Sequence, residues 1–196
     1  MKKVLLTLSL AFGIFCVSQA QTQQGDVLLG GQVGFSTTNI KDSDNKAHSF
    51  QIAPQFGYFV SDNLVLGAGV GYAWEKDEQS KDDYSTSDLI GVAPFARNYY
   101  GYGDVKFYSQ LTVPMAWGNN KVDGEKVNSI ANYGVELAPG IAYFPTSRIG
   151  IDFKVRGLYF NSSTSKDAET GDKTTANAFG LDASSFNPTV GVSFHF

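Results

Sequence analysis

The chain has 196 residues, of which 42% are hydrophobic and 14% aromatic, with 21 glycines and one cysteine. Its 15 Lys and Arg stand against 19 Asp and Glu, a balance that excludes nucleic acid as a partner, because that role needs clustered cations. Cys16 lies in a segment expected to be removed, so neither a disulfide nor a thiol nucleophile is expected of the rest.

The first element is that removable segment. Met1-Lys2-Lys3 is basic, Val4 to Val17 is almost wholly apolar, and Ser18-Gln19-Ala20 supplies small residues. This is the pattern of a secretory signal cut after Ala20. The apolar stretch is shorter than the roughly 20 residues of a spanning helix. Two regions are expected: residues 1–20 as signal peptide and residues 21–196 as one domain. Loss of Lys2 and Lys3 leaves 13 basic residues against 19 acidic, a net charge of −6.

After Ala20 the period-two alternation of strands dominates, and eight are expected. The first is Asp26–Thr38, with Val27, Leu29, Val33 and Phe35 opposite Gln32 and Ser36. The second, His48–Val60, sets Phe50, Ile52, Phe56 and Tyr58 against Gln51 and Gln55. The third, Leu64–Lys76, carries Gly67, Gly69 and Gly71 on one face. Glycines at that spacing point to a crowded barrel interior and not to a phosphate loop, which needs a strand followed by a helix. The fourth is Thr86–Tyr99, the fifth Asp104–Gly118, and the sixth Asn128–Phe144, with a break in register near Ile130. The seventh, Arg148–Phe160, sets Ile149, Ile151, Phe153, Val155 and Tyr159 against Asp152, Lys154 and Arg156. The eighth is Ser185–Phe196.

The connections alternate. Ser61-Asp62-Asn63, Tyr100–Gly103 and Pro145–Ser147 read as tight turns. Asn39–Ala47, Asp77–Ser85, Asn119–Val127 and Asn161–Ser184 read as longer polar loops. No apolar run after residue 20 could be a spanning helix, and in lipid only helices and closed barrels satisfy every backbone group. The expected fold is therefore all-β: an eight-stranded antiparallel up-and-down transmembrane barrel with its short turns in the periplasm. A soluble carrier with the apolar face inward would alternate too. The glycine-rich polar face favours a narrow filled interior and lipid outside. So do aromatics at two levels: Tyr58, Tyr99, Tyr100, Phe107, Tyr143, Phe194 and Phe196 at one, and Phe35, Phe50, Trp74, Trp117, Tyr133 and Tyr159 at the other. Pro54, Pro94, Pro114, Pro139 and Pro188 fall inside strands, where bulges are expected.

Charges on the inward face are the candidate functional residues. Glu136 and Lys154 should sit near one another in the lumen, flanked by Asp152 and Arg156, with Arg97 and Lys106 towards the periplasmic end. Buried charges need partners, so a salt-bridge network plugging the barrel is expected; a gated ion path is the alternative. Asp42-Ser43-Asp44-Asn45 lacks the glycine and glutamate of a calcium loop, and no metal or cofactor is expected. His48 and His195 are the two histidines. His48 and Ser49 face opposite ways, and no third group completes a triad, so no enzyme is expected, a lipid-modifying one being the less favoured alternative.

The last strand reads Thr189-Val190-Gly191-Val192-Ser193-Phe194-His195-Phe196. Thr189, Gly191, Phe194 and the terminal Phe196 resemble the signal read by the outer-membrane assembly machinery. Residues 21–196 resemble the small outer-membrane β-barrel superfamily typified by OmpX and the OmpA membrane domain. The resemblance implies the outer membrane of a Gram-negative cell, outer-membrane lipid and lipopolysaccharide as surroundings, and the assembly machinery as a partner through the C-terminal strand. It leaves function open, between a structural or adhesive protein with an extracellular partner on its long loops and a narrow pore.

Overall fold

The computed structural model describes residues 22–39, 45–79, 83–182 and 189–196. The signal, Asp42 to Asp44, Pro188 and the start of the expected eighth strand lie outside the described residues. Eleven strand segments follow in order: β1 Val27–Asn39, β2 Lys46–Phe59, β3 Leu64–Glu78, β4 Tyr84–Tyr100, β5 Val105–Thr112, β6 Met115–Val122, β7 Glu125–Thr146, β8 Ile149–Lys154, β9 Gly157–Asp167, β10 Lys173–Asp182 and β11 Thr189–His195. β5 and β6 are two parts of one stave, as are β8 with β9 and β10 with β11. The result is eight antiparallel staves, each paired with its sequence neighbour, and the ring closes where β11 pairs with β1.

The direction of the two faces separates a membrane barrel from a soluble one. Leu29, Val33, Phe56, Leu66, Val70, Ile90, Phe107, Val135, Leu137, Phe153 and Phe160 are all exposed on the outer wall. Leu28, Phe59, Val65, Phe95, Tyr99 and Phe144 are buried inside. A wall this apolar on the outside is the arrangement lipid demands and water penalises.

The register changes at three places among the described residues: one lies between β7 and β8 at Tyr143/Thr146, and the other two move side chains. β6 and β7 shift at Asn120/Lys121, so the break expected near Ile130 lies at Val127. In the seventh stave Lys154 faces Gly140 but Leu158 faces Leu137. One extra residue is therefore accommodated at Val155–Gly157, opposite Pro139, whose carbonyl accepts from the Val155 N–H at 3.1 Å. The slip reverses the facing beyond it, as a one-residue shift must. Leu158 and Phe160 face lipid, and Tyr159, expected outside, turns in.

Among the described prolines, Pro139 lies opposite the bulge in the seventh stave and Pro145 lies within the register shift between Tyr143 and Thr146. Pro54, Pro94 and Pro114 interrupt the ladder without an added residue: Ile52↔Tyr72 resumes in step at Gln55↔Gly69, and Thr112↔Glu136 at Met115↔Tyr133. Each lost donor is tolerated because the strand still accepts. The Pro94 and Pro114 carbonyls take the Val113 and Gly134 N–H groups, each at 2.9 Å.

Gly157 makes the bulge possible. Its φ is +70°, and an added Cβ would collide with the Leu137 carbonyl oxygen and lie 2.9 Å from Pro139 Cδ. Gly157→Ala is expected to cost at least the roughly 1–2 kcal/mol of a left-handed non-glycine residue. A urea titration of protein folded in vesicles checks this; an unchanged midpoint would mean that the bulge relaxes freely.

The expected loops Asn119–Val127 and Asn161–Ser184 are instead hairpins. Asp123 (φ 50°) and Gly124 (φ 88°) form a two-residue turn of the left-handed kind. Likewise β9 runs on to Asp167 and returns as β10, so the outer part of the eighth stave begins at Lys173.

Candidate functional site: the barrel lumen

The lumen is filled at its periplasmic end and hollow above. Phe59 stacks on Tyr99 at 5.9 Å between ring centroids. Tyr108 meets the Tyr99 ring edge-on at 5.7 Å, and the His195 ring lies 5.2 Å from Phe144 and 5.6 Å from Phe59. Three of these rings arise from aromatic doublets at strand ends: Tyr58-Phe59, Tyr99-Tyr100 and Tyr143-Phe144. Alternation sends one ring of each doublet to the lipid interface and its neighbour into the plug.

A charged layer lies on the plug. Arg97 is buried and uses its guanidinium fully on one side: Nε donates to Gln110 Oε1 at 2.7 Å, and Nη1 donates to Tyr99 Oη at 2.9 Å and to Asp152 Oδ1 at 3.3 Å. Its guanidinium carbon is 4.4 Å from the centre of the Tyr108 ring, a cation–π contact strengthened by the burial of both groups. The strand register explains the meeting: Arg97 faces Gln110 directly across β4 and β5, while Asp152 reaches in from β8. Asp152 Oδ2 and the Tyr108 hydroxyl have no protein partner.

Higher up, Lys154 Nζ donates to Glu136 Oε1 at 3.3 Å, and Arg156 Nε lies 3.7 Å from Glu136 Oε2. Arg156 also covers the inward ring of Tyr159 at 3.7 Å. Glu136 and Lys154 edge a cavity of about 310 Å³ whose wall includes Gln32, Gln55, Gly69 and Gly71. Gly67 is set differently: a Cβ there would lie 2.6 Å from the Phe95 ring and 2.8 Å from Gly57 Cα. One glycine of the alternating run is thus forced by packing, and the other two leave room.

Below the plug, Lys106 Nζ donates to Thr22 Oγ1 at 2.7 Å, and Thr22 Oγ1 donates to the Asp62 carbonyl at 2.7 Å. The segment before β1 therefore straps across the periplasmic mouth.

The chain matches the outer membrane protein beta-barrel domain over residues 7–196. It belongs to that family. No curated protein matches it in sequence. In fold it is similar to the crystal structure of the outer membrane protein OprG from Pseudomonas aeruginosa, with a TM-score of 0.52 at 11% identity over 91% of this chain and 99% of that one. Neisserial surface protein A gives a TM-score of 0.44 at 14% identity over 87% and 96% of the two chains. The family places the chain in the outer membrane.

In this outer-membrane barrel, the six charged residues singled out from the sequence fall into three groups. Arg97 joins Asp152, Glu136 joins Lys154 and Arg156, and Lys106 belongs to the N-terminal strap. Sequence reading missed the residues that make the first group rigid, Tyr99, Tyr108 and Gln110, and placed Tyr99 on the lipid side. The structure buries Tyr99 in the plug, and the doublet with Tyr100 was the available sign. Thr189 and Gly191 border the lumen cavity. Phe194 and Phe196 lie on the outer side of the closing strand, where Phe194 faces Leu29 of β1. Of the histidines, His195 is buried in the plug with its Nε2 3.2 Å from Ser193 Oγ, and His48 meets Thr37 Oγ1 at 3.3 Å on the outer wall.

Proposed function

We propose that this protein is a non-conducting, non-enzymatic barrel that braces the outer membrane and holds a raised rim of hairpins for contact with an extracellular partner. One observation carries this reading: the lumen is blocked twice in series, by the Phe59–Tyr99–Phe144–His195 rings and by the Arg97–Asp152 layer. Eight staves leave room only for side chains, and here those side chains are interlocked. The rim consists of polar strand, in β7 from Glu125, in β9 to Asp167 and in β10 from Lys173, so it stands as ordered sheet. In this reading the C-terminal strand, with Thr189, Gly191, Phe194 and Phe196, is what the assembly machinery engages.

Planar bilayers containing the refolded wild-type barrel are expected to show no discrete current steps. Reproducible steps would overturn the reading in favour of a narrow pore. Their loss in Lys154→Met or Glu136→Gln would then identify the Glu136–Lys154 pair as its gate.

A further inference from the structure

Two pairs of lysines sit directly across from one another in the outer hairpins. Lys166 of β9 faces Lys173 of β10, and Lys121 of β6 faces Lys126 of β7. Like charges directly opposite on one sheet face are destabilising. Lys121 is relieved by Asp88, 3.9 Å away. Lys166 and Lys173 form no ion pair among the described residues.

Their place in the ladder and their facing are fixed by register. Lys166 lies in one row with Ser129, Asn119 and Asp88. The next outward row towards the bilayer contains Thr164, Ala131, Trp117 and Ile90. Phe160, Trp117 and Ile90 are exposed on the lipid wall, and alternation from Phe160 through the unbroken β9 ladder puts Lys166 on that wall. Trp117 is fixed there: its Nε1 donates to Tyr133 Oη at 3.0 Å, and the two rings meet edge-on. Two residues of strand, about 7 Å, therefore separate the aromatic girdle from the lysine pair, which is the level of the lipid headgroups. A groove of about 510 Å³ on this wall is bordered by Ile90 and Trp117 below and by Lys166 and Lys173 above, with Asp88 alongside.

We propose that this groove seats the headgroup phosphate of an outer-leaflet lipid. The phosphate bridges Lys166 and Lys173, and the acyl chains lie down the Ile90–Trp117 wall. Asp88 is already held by Lys121, so the groove keeps an excess of two positive charges, a match for a phosphate monoester carrying close to two negative ones. An ammonium holds phosphate as a point charge and needs no fixed fork. The inference rests on the outer-membrane family and on no part of the proposed brace function.

The test is native mass spectrometry of the detergent-solubilised barrel with bisphosphorylated lipid A. Dephosphorylated lipid A and inorganic phosphate at the same concentration are the controls, and heat-dependent gel mobility confirms that each variant is folded. Wild type is expected to retain the phosphorylated lipid, with affinity falling as salt rises. K166Q/K173Q is expected to lose at least about tenfold, which corresponds to 1.4 kcal/mol; K173Q alone, at an exposed position, should show a smaller loss in the same direction. Equal retention by wild type and both variants would overturn the proposal, as would equal retention of the dephosphorylated lipid. Retention of inorganic phosphate to the same extent would overturn the lipid as its source.

Discussion

Arg97→Met is expected to lower the stability of the folded barrel by about 3–5 kcal/mol, the cost of leaving one member of a buried ion pair alone. Both side chains of this pair are nearly sealed, at 3% exposure for Arg97 and 7% for Asp152. Asp152 Oδ1 accepts from Arg97 and Oδ2 has no protein partner, so without the guanidinium the carboxylate would be stranded in the lumen. Asp152→Asn should cost less, because Gln110 and the Tyr99 hydroxyl still accept from Arg97. The double variant Arg97→Met/Asp152→Leu should recover most of the loss, since replacing a buried ion pair by apolar groups of similar size is often close to neutral. Urea unfolding in vesicles gives all three values. A single-variant cost below about 1 kcal/mol, the range of a solvated surface pair, would show that water reaches the layer and that it does not seal the barrel.

The hydrophobic alternation along the chain exposed the staves wherever lipid imposes it. From Leu29 to Phe35, Phe50 to Tyr58, Leu64 to Trp74 and Tyr133 to Tyr143 every second residue faces hydrocarbon, and apolar outward positions are compulsory there. From the girdle outward the ladders continue towards water, where outward positions such as Ser162, Thr164, Thr175 and Asn177 need not be apolar. The period-two signal stops while the hydrogen bonding does not, and this is why β10 and the outer part of β9 read as loop. Asp123-Gly124 carried its own sign, because Asp-Gly between strands favours a tight hairpin, but the polar residues around it masked the strands it joins. The bulge at Val155–Gly157 left no break in polarity. Only the glycine after Arg156 marked it, and a strict alternation carried through it turned Tyr159 the wrong way.

The lumen was legible in part for a related reason. Charge on the inward face is conspicuous, so Arg97, Glu136, Asp152 and Lys154 stood out. An inward aromatic is not conspicuous in a chain whose outward girdles are aromatic as well. Tyr99 and Tyr100 are chemically alike, and nothing in composition says which one the lipid keeps. Only the phase of the strand decides, and Arg97, two residues before Tyr99 on the same face, was the group that fixed that phase.

The plug carries the second large expected effect. Phe59→Ala removes a buried ring stacked on Tyr99 and packed against His195, and should cost about 3–5 kcal/mol. A soluble core could collapse into such a space, but at the level of the plug the barrel wall is held by ladders on both sides of each stave and closes less readily. Phe59→Ala/Phe144→Ala should therefore leave a water-accessible gap on two sides of Tyr99, while the Arg97–Asp152 layer stays in place above it. The double variant, refolded in vesicles and fused to a planar bilayer, separates the two barriers. A small steady current where wild type shows none would make the aromatic layer the principal seal. Continued silence at reduced stability would assign the seal to Arg97 and Asp152, and adding Arg97→Met to the same background should then open the path.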